Sequence, residues 1–269
     1  MNLLGKTVVL TGACGGIGTS LAEELAKAGA RLLLVGRDQR ALECLRSILP
    51  GGPLPHMIYV ANLCVEEDRA GLTLACSDAQ VDILINNAGV GEFNLLEQSS
   101  SDAIASLLDL NLNVPIQLTR LLLPTLKSRP TAAVINIGSA LGSIGYPAYS
   151  VYSASKFGLR GFSEALRREL SDSGVRVMHF APRATRTPLN DSKVQAMNAA
   201  LGTATDAPEL VAQALLKRIR TDRWQASVFG WPERFYALLN AMNPAFTDGA
   251  IEKQLPEIKR FAADKSQPE

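Results

Sequence analysis

A short β-branched apolar run, Thr7-Val-Val-Leu-Thr11, breaks into Gly12-Ala-Cys-Gly-Gly-Ile-Gly18 and resumes as a stretch rich in Leu, Ala, Glu and Lys. The apolar run reads as a buried strand, and residues 20–28 read as a helix. Gly29-Ala30 ends that helix, and Arg31-Leu-Leu-Leu-Val35 is the next strand. A strand, a glycine turn, a helix and a second strand leave few folds open. Glycines let a backbone approach a pyrophosphate, and a helix N-terminus favours its negative charge. The spacing here is Gly-x-x-x-Gly-x-Gly rather than the commoner Gly-x-Gly-x-x-Gly. Taken alone, it suits either a dinucleotide cradle or a tight turn.

The alternation continues along the chain. Apolar runs predict strands at 7–11, 31–35, 56–60, 81–85, 132–137, 175–180 and 225–229. Helical stretches fall near 17–28, 38–48, 66–78, 101–127, 151–173 and 207–221, with a flexible loop over 187–203. Strictly alternating strands and helices imply right-handed crossovers and helices on both faces of a sheet. The prediction is an α/β fold, a Rossmann-like doubly wound parallel sheet of about seven strands, in one domain. The length of 269 residues, 47% of them hydrophobic, supports one such core. The connection Pro50-Gly-Gly-Pro-Leu-Pro55 reads as a turn, not a domain boundary. The tail from Asp264 to Glu269 is polar and expected to fray.

Charge is nearly balanced, with 27 basic and 26 acidic residues, so no basic excess points to nucleic acid. No secretory signal precedes the first strand, and no apolar run reaches membrane-spanning length. Cys14, Cys44, Cys64 and Cys76 lack Cys-x-x-Cys spacing and read as reduced thiols of a cytoplasmic protein. Cys14 lies in the glycine turn, as a small turn residue or an oxidant sensor. The two histidines, His56 and His179, form no metal constellation, so no catalytic metal is expected.

Tyr152-Ser-Ala-Ser-Lys156 places a phenol and an ammonium one helical turn apart, on one face. An unperturbed Tyr has a pKa of about 10, and a nearby cation lowers it by roughly one to three units. That shift brings a Tyr into the range of general acid–base work. By itself the pair equally describes an ordinary helix surface. Ser139, in Ile137-Gly-Ser139-Ala, is by itself a strand end. Asn111, in Asn111-Leu-Asn-Val-Pro115, is by itself a capping or kink residue.

Taken together, these segments carry a resemblance. Gly12, Gly16 and Gly18, then Asn86-Asn87-Ala88-Gly89, Asn111, Ser139 with Tyr152 and Lys156, and Pro182-Arg183-Ala-Thr-Arg-Thr187 follow one another in order. The chain resembles the short-chain dehydrogenase/reductase family over nearly all its length. The resemblance implies four catalytic residues. Tyr152 is the general acid in reduction and the base in oxidation. Lys156 lowers the Tyr pKa and holds the nicotinamide ribose. Ser139 stabilises charge on the substrate oxygen, and Asn111 anchors a proton-conducting water. It further implies a cofactor site made of Gly12, Cys14, Gly15, Gly16, Ile17, Gly18, Arg37, Asn62, Leu63, Asn87, Ala88, Gly89, Tyr152, Lys156, Pro182 and Thr187.

Two positions depart from the family pattern. Arg183 stands where the family has Gly, which predicts an altered backbone path there. Asn62 replaces an adenine-contacting Asp and carries no charge. Cofactor choice is read at Leu34-Val-Gly36-Arg37-Asp38. An acidic residue closing this strand would select NAD. Gly36 stands there instead, and the Arg37 guanidinium suits a 2′-phosphate. Asp38 is either the N-cap of the helix at 39–48 or a ribose ligand. Gly15 stands where many NADP-preferring members carry Lys or Arg. The expectation is NADP(H), with NAD(H) possible.

Val90, Glu92, Phe93 and the segment Ala140 to Tyr149 line the substrate cleft in the family, and most are apolar here. A hydrophobic alcohol or carbonyl follows: steroid-like, fatty acyl or aromatic. Alternatively these residues only pack against the 187–203 loop. Beyond the last strand, residues 231–269 extend the catalytic part, 1–230. Phe235, Leu238, Leu239 and Met242 form one helical stripe, and Ile251, Leu255 and Ile258 form a second. Five basic and six acidic residues from Trp231 onward give no pull toward anionic lipid. A lid or a subunit surface is expected rather than a membrane anchor, with Phe235, Leu239, Leu255 and Ile258 buried. The reading is an NADP(H)-dependent oxidoreductase of carbonyls or secondary alcohols, as a homodimer or homotetramer. A non-catalytic NADP(H)-binding regulator or scaffold is the alternative, and the intact Ser139, Tyr152 and Lys156 weigh against it. An epimerase or dehydratase would need a longer chain with its own substrate domain.

Overall fold

The computed structural model describes residues 1–52 and 54–263, so the tail expected to fray lies outside the described residues. Seven strands form one sheet: β1 (Thr7–Thr11), β2 (Arg31–Gly36), β3 (Met57–Val60), β4 (Ile83–Asn86), β5 (Ala132–Ile137), β6 (Val175–Pro182) and β7 (Ser227–Phe229). Every neighbouring pair is parallel, in the order β3-β2-β1-β4-β5-β6-β7. The chain builds outward through β2 and β3, then returns to place β4 on the other side of β1. Strand order thus reverses between β1 and β4, the kind of switch point at which a crevice opens at the carboxyl edge of the sheet.

Successive side chains on a strand face opposite ways, and the core follows that period. Val8 and Leu10 of β1 join a core with Leu21 and Leu25 of α1 (Gly16–Lys27) and residues of α2 (Gln39–Ile48). Val9, between them, packs on the opposite face with Leu72 of α3 (Glu66–Asp78). Both β1 faces are covered, which is why the strand reads as a continuous apolar run.

The helix expected over 101–127 is three pieces. α4 (Ser101–Leu108) passes into a π-helical turn over Asp109–Asn113, and α5 (Val114–Lys127) follows with Pro115 in its first turn. Proline lacks an N–H, which costs nothing in a first turn. The wide turn carries Asn111 at its centre, and such turns often mark functional sites. Beyond α6 (Ser150–Glu169), the expected 187–203 loop contains a helix, α7 (Ser192–Ala200), capped by Asp191 accepting from the Val194 amide at 2.8 Å. α8 (Pro208–Arg220) completes the first core with Leu215 and Ile219.

α9 (Glu233–Met242) and α10 (Ala245–Ala263) form the two C-terminal helices. Their expected burial is only partly found. Ile258 is buried, and Leu239 and Leu255 are half-buried, but Phe235 is 43% exposed. α9 turns Ala237 inward, leaving Phe235, Leu238 and Met242 on its outer side. α10 instead builds a third core: Ile258 and Ala262 pack with Met197 of α7 and with Ala148. Phe93, Tyr146 and Tyr149 pack against this core, so the C-terminal segment supports the cleft wall directly.

Candidate active site

The glycine turn is shaped by close approach. Gly12 has φ +62°, in the left-handed region that favours glycine, and a Cβ there would lie 2.8 Å from Ala88 Cα. A Cβ on Gly18 would lie 2.1 Å from the Gly12 carbonyl oxygen, and one on Gly16 would meet Thr187 at 2.6 Å. The turn after β1, the Asn-Ala-Gly loop after β4 and the loop after β6 thus converge. Thr11 Oγ1 accepts from the amides of Asn87 at 2.9 Å and Ala88 at 3.0 Å, and Asn87 Nδ2 donates to the Gly12 carbonyl at 3.0 Å. α1 begins at Gly16, with Gly15 as an N-cap that offers no side-chain hydrogen bond and with no acidic residue in its first turn. Its amides are left to serve an anion.

At the carboxyl ends of β2 and β3 the expected adenosine-side residues separate. Arg37 is exposed, with no ion pair or hydrogen bond given to it among the described residues. Asp38 is the N-cap of α2, its Oδ1 accepting from the Ala41 amide at 3.1 Å. Asn62 Oδ1 is engaged by the Cys64 amide at 3.2 Å, and the Asn62 amide donates to Asp68 at 2.6 Å. The Leu63 side chain is buried in the core on the α3 face, and its carbonyl accepts from Arg69 Nη1 at 2.7 Å. Cys14 is exposed beside this edge, its thiol pushed up by partial burial and then by Asp38.

A cleft of about 440 Å³ opens where these loops meet, and Ser139, Tyr152, Lys156, Pro182 and Thr187 all line it. Ser139 follows β5 and caps a short 3₁₀ turn, accepting from the Leu141 amide at 3.2 Å. Tyr152 and Lys156 lie on α6 as their spacing requires. Asn111 stands behind the wall, fully buried. Its amide group exchanges two hydrogen bonds with the Val90 backbone, each 2.8 Å, and donates to Ser155 Oγ at 3.3 Å. It therefore clamps the loop after β4, and its Oδ1 would lie 3.0 Å from a Cβ on Gly89.

The electrostatics differ from the expectation for Tyr152. Burial pushes its phenol up, and hydrogen bonding with Ser139 works against that rise. The Lys156 ammonium is over the Tyr152 ring, 5.6 Å from its centre, and donates to the Ile137 carbonyl at 3.3 Å. Burial itself lowers Lys156 to about 8. Beneath the site, buried His179 is lowered to about 3, by burial and then by the Lys156 and Arg160 charges, and so stays neutral.

Several residues that shape the cleft escaped the sequence reading: Asp191, Val194 and Met197 at α7, and Tyr236 and Gln254 from α9 and α10. Ile251 of α10, named there in an apolar stripe expected as a lid or a subunit surface, also lines the cleft. For α7 the signal was the Asp191 N-cap; nothing local marks Tyr236 or Gln254. Arg183, expected to alter the backbone, does not adopt positive φ. It forms a paired salt bridge to Asp206, with Nη2 to Oδ1 at 2.7 Å and Nε to Oδ2 at 2.8 Å. Among the described residues no group of three or more His, Cys, Asp or Glu is placed to hold a metal ion. No helix of the described residues is long and apolar enough to cross a membrane.

The family model described as short chain dehydrogenase matches residues 6–198. A ketoacyl reductase, HetN, of Nostoc sp. is 36% identical over 227 residues, covering 81% of this chain and 76% of the relative. A dehydrogenase/reductase SDR family member 7B of Danio rerio is 31% identical, covering 81% and 75%. A 3-oxoacyl-[acyl-carrier-protein] reductase, FabG, of Vibrio cholerae is 30% identical, covering 76% and 82%. A solved short chain dehydrogenase/reductase family protein superposes with a TM-score of 0.73 at 28% identity, covering 85% of this chain and 97% of the other. By this family match over most of its length and by these relatives, the chain belongs to the short-chain dehydrogenase/reductase family of oxidoreductases.

Proposed function

We propose that this protein transfers a hydride between NADP(H) and the carbonyl or secondary alcohol of an uncharged, apolar substrate. The observation that carries this reading is the single cleft wall on which Ser139, Tyr152 and Lys156 stand beside the glycine turn. The glycine turn and the uncapped start of α1 suit a pyrophosphate, and exposed Arg37 suits a 2′-phosphate. The cofactor, when bound, supplies or accepts the hydride. In the reductive direction Tyr152 delivers the proton to the substrate oxygen, and Ser139 donates a hydrogen bond to that oxygen as charge develops. Lys156 holds positive charge behind the phenol. Asn111 holds the Val90 loop that forms the opposite edge of the cleft.

The rest of the cleft supports an apolar substrate. Phe93, Tyr149 and Tyr152 form an aromatic series, with ring centres 5.2 and 5.9 Å apart, leading to the proton donor. Glu92 and Asp191 line the cleft, and the Arg183 guanidinium is occupied by Asp206 and Glu233. Apart from Lys156 beside Tyr152, an anionic substrate thus meets carboxylates rather than an unpaired cation. The carrier-bound 3-oxoacyl substrate in the name of the FabG relative is the second reading: its thioester and acyl chain are uncharged as well, and that relative's identity supports it. NADPH consumption with neutral ketones against acyl thioesters separates the two.

The Arg37 assignment has its own test. Arg37→Ala is expected to weaken NADPH binding by about tenfold, the worth of one charge-assisted hydrogen bond, and to leave NADH binding nearly unchanged. A wild-type preference for NADH, measured by cofactor fluorescence titration, would overturn it.

Residues 1–230 act in this reading as the catalytic part, with 231–269 as its cap. Trp231, Phe235, Leu238 and Met242 are exposed on one side of that cap, which supports assembly as a homodimer or homotetramer through this face. Sedimentation is expected to give an oligomer, and Leu238→Glu to shift it toward monomer. A wild-type monomer that anionic vesicles remove from solution would show a lipid-docking face instead. A cytoplasmic location is proposed on the described cysteines being free thiols.

A further inference from the structure

We infer that Arg183 is a positioning residue that fixes α9 and α10 as a wall of the substrate cleft, so that the range of substrates accepted depends on it. The inference rests on the reading of the cleft as a site for an apolar carbonyl compound.

The guanidinium joins three segments. Nε and Nη2 grip the two oxygens of Asp206 at 2.8 and 2.7 Å, while Nη1 donates to the Trp231 carbonyl at 2.7 Å and to Glu233 Oε2 at 3.3 Å. The Arg183 side chain is 16% exposed and that of Asp206 is 10% exposed, so the pair is shielded from solvent. Asp206 is in turn bound through its backbone to the loop after β6, donating to the Ala184 carbonyl and accepting from the Arg186 amide, both at 2.9 Å. One end of the node is therefore the loop that carries Thr187 to the glycine turn. The other end is the first turn of α9.

The sequence around the node is adapted to it. Gly230 has φ +107°, and a Cβ there would lie 2.6 Å from Arg183 Cδ. Only glycine combines that backbone with that space. From this anchor α9 places Tyr236 on the cleft, and α10 places Ile251 and Gln254 there. Two neutral ties hold the far side: Asn240 Nδ2 donates to the Ser143 carbonyl at 2.9 Å, and Tyr146 donates to Gln254 Oε1 at 2.8 Å. The Arg183 node is the charged, forked tie. A lysine keeps the charge but not the fork.

The test uses the full chain and two measurements. Hydrogen exchange over 233–263 is read without substrate. Steady-state kinetics are read with NADPH and two neutral ketones, one small and one bulky. The double variant Arg183→Gly with Asp206→Asn removes both charges, so no buried carboxylate is left unpaired. Exchange in the two helices is expected to quicken by at least about tenfold, and KM for the bulky ketone to rise by a similar factor, the worth of one charge-assisted bond. KM for the small ketone and both kcat values should move little, and Arg183→Lys should recover only part of the protection. Unchanged exchange, or an equal KM change for both ketones, overturns the inference. If the double variant does not fold, Glu233→Gln carries the test. It leaves the Arg183–Asp206 pair intact and should show the same pattern, weaker; unchanged exchange in that variant is equally decisive against the inference. Absence of turnover with both ketones strikes instead at the proposed reaction, because the exchange measurement needs no substrate.

Discussion

Tyr152→Phe is expected to cut turnover by at least about a hundredfold while NADPH still binds. The ring contacts stay: Phe keeps the edge-on packing against Tyr149, whose ring centre is 5.9 Å away. Only the hydroxyl is lost, and with it the proton donor. General acid catalysis is worth roughly a hundred- to ten-thousandfold, so the loss corresponds to about 3 kcal/mol or more of barrier. Ser139 remains to polarise the substrate oxygen, which leaves a small residual rate. The measurement is kcat for a working ketone beside the dissociation constant for NADPH. Near-normal turnover would remove Tyr152 from the mechanism.

Lys156→Met is expected to displace the pH profile of alcohol oxidation toward alkali. Oxidation needs the phenolate as base. A neighbouring cation favours the phenolate by roughly one to three pKa units, or about ten- to a thousandfold in its population at neutral pH. Burial already pushes Tyr152 up, and the lost ammonium leaves Ser139 as the hydroxyl's remaining support. Turnover at neutral pH should therefore fall by that factor and recover as pH rises. An unshifted profile would assign Lys156 to ribose binding alone.

The same variant carries a stability signature. Lys156 is lowered from 10.5 to about 8 in the folded chain, so the unfolded chain binds more protons between those values. Wild-type stability accordingly gains from pH 8 to 10.5, by roughly 3 kcal/mol from this group, and is without that gain below pH 8. Lys156→Met should abolish this part of the rise. Chemical denaturation across that window measures it.

The residues proposed to hold reactants come from short segments with strong local signals, which are readable along the chain. The glycine turn sits between an apolar strand and a helix because each piece has its own periodicity and composition. Tyr152 and Lys156 share a face because any helix brings residues four apart together. Asp38 as an N-cap follows from its place before the helix at 39–48. The seven parallel strands follow from the same alternation, with boundaries moved by one or two residues.

What only the tertiary structure decided concerns groups whose neighbours are distant in the chain. The break in the expected 101–127 helix comes from the π-helical turn that brings Asn111 to the Val90 backbone, a partner 21 residues away. The upward shift of Tyr152 depends on enclosure, which the four-residue spacing does not specify. The apolar stripe of α9 has the right period for burial, yet period alone does not say which face meets protein. Ala237 faces inward, and Phe235 and Leu238 do not. Arg183 shows the limit most plainly. As a residue in a row it is a departure from Gly, while its meaning lies in Asp206, Trp231 and Glu233, which are 23 to 50 residues downstream. Periodicity and spacing determine local structure because they act within a few residues. Charge pairing and burial act through space, and only the folded chain sets those distances.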